Sequence, residues 1–308
     1  MASYLDLVPS RARQLHFVTG KGGVGKSLVS VALARRFVDA GEKTLLVQVH
    51  ARDAHGPLLQ LREPVPDDLV EVERNLTVVN LNPTQATREY ALMTLKLESV
   101  YRAVFENRVT KTFLRFVPSL NELTMMGKLW FHAEEKDGLF SQAPRFRRIV
   151  VDCPSTGHAL KLFAVSRVLT DMVRVGPMVE KTRAMSAVWR DANRSAVHVV
   201  TLPEELPVNE TIELIARLKS DGTAPVGSII VNQLLPQLFK DPAVVDVVPD
   251  GPVKAVAVRR VQREARERSQ RSRVDEIGLG VVEVPHLQES PLTPAHVARV
   301  AALLGGIT

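Results

Sequence analysis

Eight consecutive residues, Gly20-Lys21-Gly22-Gly23-Val24-Gly25-Lys26-Ser27, combine glycines, two lysines and a hydroxyl in a spacing suited to gripping a polyphosphate. They fit the phosphate-loop pattern of a glycine, four intervening residues, then Gly-Lys-Ser. The glycines let main-chain N–H groups turn inward around phosphate oxygens with no Cβ in the way. In this pattern Lys26 neutralises the β and γ phosphates, and the Ser27 hydroxyl takes a place on Mg2+, so ATP and magnesium are the expected ligands. Lys21 is a cation that an ordinary loop of this kind does not need. It is either a solvated charge or a lysine that reaches a partner's bound nucleotide and offsets transition-state charge there. Asp152 follows the apolar run Arg148–Val151. A carboxylate ending a buried strand beside a phosphate loop is the usual place for a magnesium-associated aspartate. The competing role is a helix cap.

These residues need elements to position them. Leu15–Thr19 reads as a β-strand stopping at the glycine loop, and Ser27–Asp39 as a helix with Val29, Ala32, Leu33 and Phe37 on one face. Gly41 ends that helix, Thr44–Val49 is a second buried strand, and Thr77–Leu81 is a third, at an edge. Further strands are expected at Arg148–Val151, Ala196–Thr201, Val226–Val231 and Val281–Val284. Helices are expected at Ala159–Thr170, Met178–Ala192, Asn209–Ser220, Lys254–Arg273 and Pro294–Leu304. Strands alternating with helices predict an α/β fold, with a mostly parallel sheet covered by helices on both faces. The pattern is one P-loop domain over residues 1–308, with a helical insertion at about 84–140.

The glycine loop also resembles the deviant Walker A motif of the dimeric ATPase class that contains MinD, ParA and the arsenite-pump ATPases. Asp152-Cys153-Pro154-Ser155-Thr156-Gly157-His158-Ala159-Leu160-Lys161 resembles the switch II of the arsenite-ATPase and tail-anchored-protein-targeting family. Pro203-Glu204-Glu205-Leu206-Pro207-Val208-Asn209-Glu210-Thr211 resembles that family's P-E-x-L-x-x-x-E-T run, and Val231-Asn232-Gln233-Leu234-Leu235 its V-N-Q-L-L segment. The resemblance implies that Lys21 is the intersubunit signature lysine and Asp152 the switch II carboxylate near magnesium. It further implies that Asn232 contacts adenine and that Pro285 begins the adenine loop. His158 either senses the nucleotide state or caps its helix.

Switch I departs from the family's D-P-A-H-N, in which the aspartate orients the attacking water. Here the stretch is Val49-His50-Ala51-Arg52-Asp53-Ala54-His55-Gly56. Counting from the strand puts His50 at the aspartate's position, while matching Ala54-His55 to the family's A-H puts Arg52 there. Asp53 is the nearest carboxylate and the chosen catalytic candidate. The resemblance implies a homodimer, or a heterodimer with a related ATPase, acting as an ATP-hydrolysing switch that couples nucleotide state to partner or client binding. The alternative is a nucleotide-binding regulatory subunit with little turnover. The insertion corresponds to the family's client-binding subdomain. There Leu92, Met93, Leu95, Leu97, Met125, Met126, Leu129 and Trp130 either pack into the core or form a groove for a client helix.

Composition narrows the setting. Hydrophobic residues make up 45% and charged residues 24% of 308 positions, ordinary for a globular protein. No apolar run approaches the roughly 20 residues that span a bilayer. Met1–Arg13 lacks a signal-peptide core, so the cytoplasm is the expected compartment. The single cysteine, Cys153, leaves no C-x-x-C pair for the zinc that some family members share, and argues against a multi-cysteine arsenite site. The net charge of +6 resides in Pro252–Arg273, where eight basic residues face two glutamates. No aromatic residue interleaves with them, so nucleic acid is a minor option, and no basic membrane-targeting helix is visible at the C-terminus.

Overall fold

The computed structural model describes residues 13–49, 53–86, 120–138, 141–172, 177–239, 241–288 and 291–307. Eight strands form one sheet in the order β3-β4-β2-β5-β1-β6-β7-β8. They are β1 (Leu15–Gly20), β2 (Thr44–Val49), β3 (Val70–Glu73), β4 (Leu76–Leu81), β5 (Arg148–Ser155), β6 (Ser195–Thr201), β7 (Val226–Leu234) and β8 (Gly280–Pro285). All neighbours pair in parallel except β3 and β4. The strand expected at the sheet edge, β4, is therefore an inner strand. The short antiparallel β3, whose Val70-Glu71-Val72-Glu73 alternates charge with apolar residues, takes the edge instead.

The helices are α1 (Lys26–Asp39), α2 (His55–Leu59), α3 (Leu120–Glu134), α4 (Thr156–Met172), α5 (Pro177–Arg190), α6 (Glu205–Asp221), α7 (Pro252–Asp275) and α8 (Pro294–Leu303). Side chains alternate across a strand, so Phe17 and Val18 of β1 enter different cores. Phe17 joins Leu129, Phe163, Trp189 and Leu214 under α3–α6. Val18 joins Leu33, Val150, Val297 and Val300 under α1 and α8. A strand covered on both faces has no solvent-facing positions, and all six residues of β1 are buried.

Helix α3 is the longest described element of the expected insertion. Its Met125, Met126 and Leu129 are buried in the α3–α6 core, with Trp130 packed against it, so these residues are core rather than free groove. Leu92, Met93, Leu95 and Leu97 lie outside the described residues. The basic helix α7 spends much of its charge locally. Arg260 pairs with Glu264, Arg263 with Glu267, and Arg271 with both Asp275 and Glu283. Among the described residues no helix is long and apolar enough to cross a membrane.

Candidate functional site

The parallel strands deliver their C-terminal ends to one edge of the sheet. The glycine loop leaves β1 there, flanked by β5 and β6. Two glycines are required by space as well as by backbone angle. A Cβ on Gly20 would lie 2.1 Å from the Val200 carbonyl oxygen, and one on Gly25 would lie 2.2 Å from Asn232 Nδ2. Gly25 is also in the left-handed region at φ 94°, next to the first residue of α1. No side chain caps that helix start and no acidic residue occupies its first turn, which contains Lys26 and Ser27. An uncapped N-terminus of 14 residues' helix, entered through left-handed glycines, directs main-chain N–H groups at whatever anion sits in the loop.

The two loop lysines part company. Lys26 folds over the loop, its Nζ donating to the Lys21 carbonyl at 3.0 Å. Burial lowers its pKa, and the negative charge of Asp152 works in the opposite direction. A half-desolvated ammonium with only one neutral acceptor is poised to take phosphate oxygens. Lys21 points elsewhere and forms a 2.6 Å ion pair with Glu210 of α6. The other Glu210 oxygen accepts from Thr156 Oγ1, the first residue of α4, at 3.3 Å. One carboxylate thus touches both the loop and the segment matched to switch II.

Asp152 lies within β5, opposite Val18 of β1 and Gln48 of β2. Its Oδ2 is 3.0 Å from Nε2 of His55, a side chain with no exposed surface, and its Oδ1 is buried with no hydrogen-bond partner among the described residues. An orphaned carboxylate oxygen beside a phosphate-type lysine fits a hard divalent cation such as magnesium. Thr19 Oγ1 donates to the Pro154 carbonyl at 3.2 Å, tying the end of β1 to the switch II segment. Cys153 is buried in the core and its thiol pKa is pushed up by burial, which keeps it neutral. His158 is exposed on the first turn of α4.

In switch I, Asp53 is engaged with its own helix: its Oδ1 accepts from the Gly56 N–H at 2.8 Å. His50 and Arg52 lie outside the described residues. Asn232 is buried against the loop, its Nδ2 donating to the Val24 carbonyl at 2.8 Å and its Oδ1 accepting from the Gln233 N–H at 2.9 Å. Beyond it, Leu234 pairs with Pro285 across β7 and β8. The ends of those two strands line a cavity of about 490 Å³ with Leu235, Pro285, His286, Gln288 and Arg299.

The structure therefore gathers Lys26 and Asp152 around the loop and pins Asn232 to it. Pro285 lines a separate cavity at the ends of β7 and β8, and Asp53 is turned onto α2. Two residues escaped the sequence reading as site members. Glu210 was legible only as a letter in a motif, and His55 only as the partner of Ala54 in an alignment. Neither has a local pattern that reveals contact with a residue 189 or 97 positions distant in the chain.

Comparison with known proteins agrees with this geometry. The model of the anion-transporting ATPase family matches residues 13–177 and 172–246. The chain is 31% identical to ATPase BagA of Mycobacterium tuberculosis over 258 residues, covering 82% of this chain and 74% of that one. It is 24% identical to ATPase GET3C of Arabidopsis thaliana, covering 77% of this chain and 71% of the relative. It is 30% identical to the arsenical pump-driving ATPase of Acidiphilium multivorum, covering 75% of this chain and 37% of that longer protein. With a phosphate loop on the central strand of an eight-stranded α/β sheet, and a family match across most of its length, this chain belongs to the anion-transporting ATPase family and is one of its ATPases.

Proposed function

We propose that this ATPase is a dimeric, magnesium-dependent switch in which ATP releases Lys21 from Glu210 and frees it to engage the nucleotide of a second subunit. One observation carries the reading: the two loop lysines have different jobs, Lys26 folded into the loop and Lys21 held outside it by a carboxylate of α6. The pair is 33 and 37% exposed, so solvent screens it and a triphosphate competes for the lysine at small cost. Glu210 also accepts from Thr156, so losing Lys21 changes what holds the start of α4. That is a direct route from the loop to the segment resembling switch II.

Lys26 and the loop amides would hold the β and γ phosphates, with the base toward Asn232 and the cavity at Pro285. Ser27 and Asp152 would hold Mg2+, which supplies charge neutralisation on the phosphates when bound. Asp53 is the carboxylate nearest the family's water-orienting position, and its bond to Gly56 must open for it to act. Turnover is therefore expected to be slow until the Asp53 side chain turns away from Gly56. The dimer partner is a second copy or a related ATPase, and the client would engage the insertion.

Sedimentation with and without a slowly hydrolysed ATP analogue and Mg2+ tests the reading. The parent protein is expected to dimerise with analogue. Lys21→Ala should still bind nucleotide by calorimetry but stay monomeric, whereas Lys26→Ala should lose binding. A Lys21→Ala protein that dimerises like the parent would defeat the switch.

A further inference from the structure

We propose that His55 is a positioning residue for magnesium: its imidazole holds one oxygen of Asp152 and leaves the other, Oδ1, for the metal. This rests on the nucleotide-site reading above and gives a role to a histidine that the sequence reading used only to align Ala54-His55 with the family's A-H.

The argument begins with what the contact costs. His55 has no exposed surface, and burying an imidazole is unfavourable unless its nitrogens are satisfied. Among the described residues only one is: Nε2, 3.0 Å from Asp152 Oδ2, while Nδ1 is buried with no partner there. A carboxylate can only accept, so the proton is on Nε2 and the imidazole donates it. An apolar side chain would fill the start of α2 without an orphaned nitrogen. The histidine is explained by the one bond it makes, a hydrogen bond to a charged acceptor, stronger than a neutral one.

The histidine is itself held. Ala54 N–H donates to Gln48 Oε1 at 3.0 Å, and Gln48 lies on β2 directly opposite Asp152 of β5. Asp53 secures the next turn through Gly56. The backbone before His55 is thus fixed to the strand beside the carboxylate it orients, and the backbone after it is held by Asp53. A carboxylate free to rotate could offer a metal either oxygen; with Oδ2 holding the imidazole, Oδ1 is the oxygen left without a partner among the described residues. Outer partners of this kind typically change metal affinity about 10–100-fold when removed.

The test separates metal from nucleotide. Binding of a fluorescent ADP analogue is followed first in EDTA, then as Mg2+ is titrated, for the parent, His55→Ala and His55→Gln; thermal denaturation reports folding. Binding in EDTA is expected to be unchanged in both variants. The Mg2+ concentration for half-maximal enhancement should rise about 10–100-fold in His55→Ala. His55→Gln, whose amide nitrogen reaches the place of Nε2, should recover most of it. A half-maximal concentration within about twofold of the parent in His55→Ala would overturn the assignment, with twofold being under 0.5 kcal/mol. Should His55→Ala not fold, a glutamine variant that is folded yet shifted tenfold or more would overturn it too. A parent that binds no nucleotide would instead sink the site reading, and this proposal with it.

Discussion

At the scale of a single residue, Asp53 already serves the fold, and the proposed function asks it to serve the chemistry as well. Its oxygen satisfies the Gly56 N–H at the start of α2, which is a capping contact. Removing such a cap costs about 0.5–2 kcal/mol. If Asp53 also orients the attacking water, Asp53→Ala should lower stability by that amount and reduce ATP turnover at least tenfold, with nucleotide affinity preserved. Asp53→Asn keeps an oxygen for the cap but loses the charge, so it should retain stability and still lose turnover. Phosphate release beside thermal denaturation distinguishes the two effects. A fully active Asp53→Ala would leave the carboxylate as a cap and nothing more.

At the scale of elements, the junction of the loop with α1 is tightly constrained. Gly25 sits at φ 94°, and the space where a Cβ would project is filled by the Asn232 amide of β7, which is bonded to Val24. Gly25→Ala meets both obstacles at once. The left-handed angle costs a residue with a Cβ on the order of 1–3 kcal/mol. The 2.2 Å approach further forces Asn232 off the Val24 carbonyl. The expected result is a destabilised protein whose nucleotide affinity falls more than tenfold, read by denaturant unfolding and calorimetry. Gly23→Ala meets a left-handed angle but open space, and should be milder in both measurements.

The whole molecule carries an acid limit that is independent of the nucleotide site. His16 of β1 and His198 of β6 are fully buried, and their facing nitrogens are 3.1 Å apart. A single proton arrangement satisfies the row. Ser228 donates to His198 Nδ1 at 2.8 Å, His198 Nε2 donates to His16 Nδ1, and His16 Nε2 donates to the Arg13 carbonyl at 3.3 Å. Both rings are then neutral. Burial pulls the His198 pKa down to about 3, and burial with the neighbouring His198 and Arg148 pulls His16 well below 6.5. In the unfolded chain both protonate near pH 6.5, so below that value the unfolded state binds more protons. Stability should be full above pH 6.5 and fall as pH drops toward 3. The slope is on the order of 1.4 kcal/mol per pH unit for each histidine. Urea unfolding at pH 7, 6 and 5 checks this. His198→Gln should be less stable at pH 7 but lose less between pH 7 and 5.

Much of this protein is written locally. The glycine loop, the uncapped start of α1 and the apolar runs of β1, β2 and β5–β8 follow from neighbouring residues, because loop geometry and strand burial depend on local spacing and hydrophobicity. Tertiary structure decided the rest. Four Val-Glu residues could not declare themselves the antiparallel edge strand until β4 was there to pair with. Met125, Met126 and Leu129 suited a groove and a core equally by type, and packing made them core. The same holds for Glu210 on Lys21 and His55 on Asp152. A hydrogen bond between residues far apart in the chain leaves no periodicity behind, and only the convergence of strand ends at one sheet edge brings such partners together.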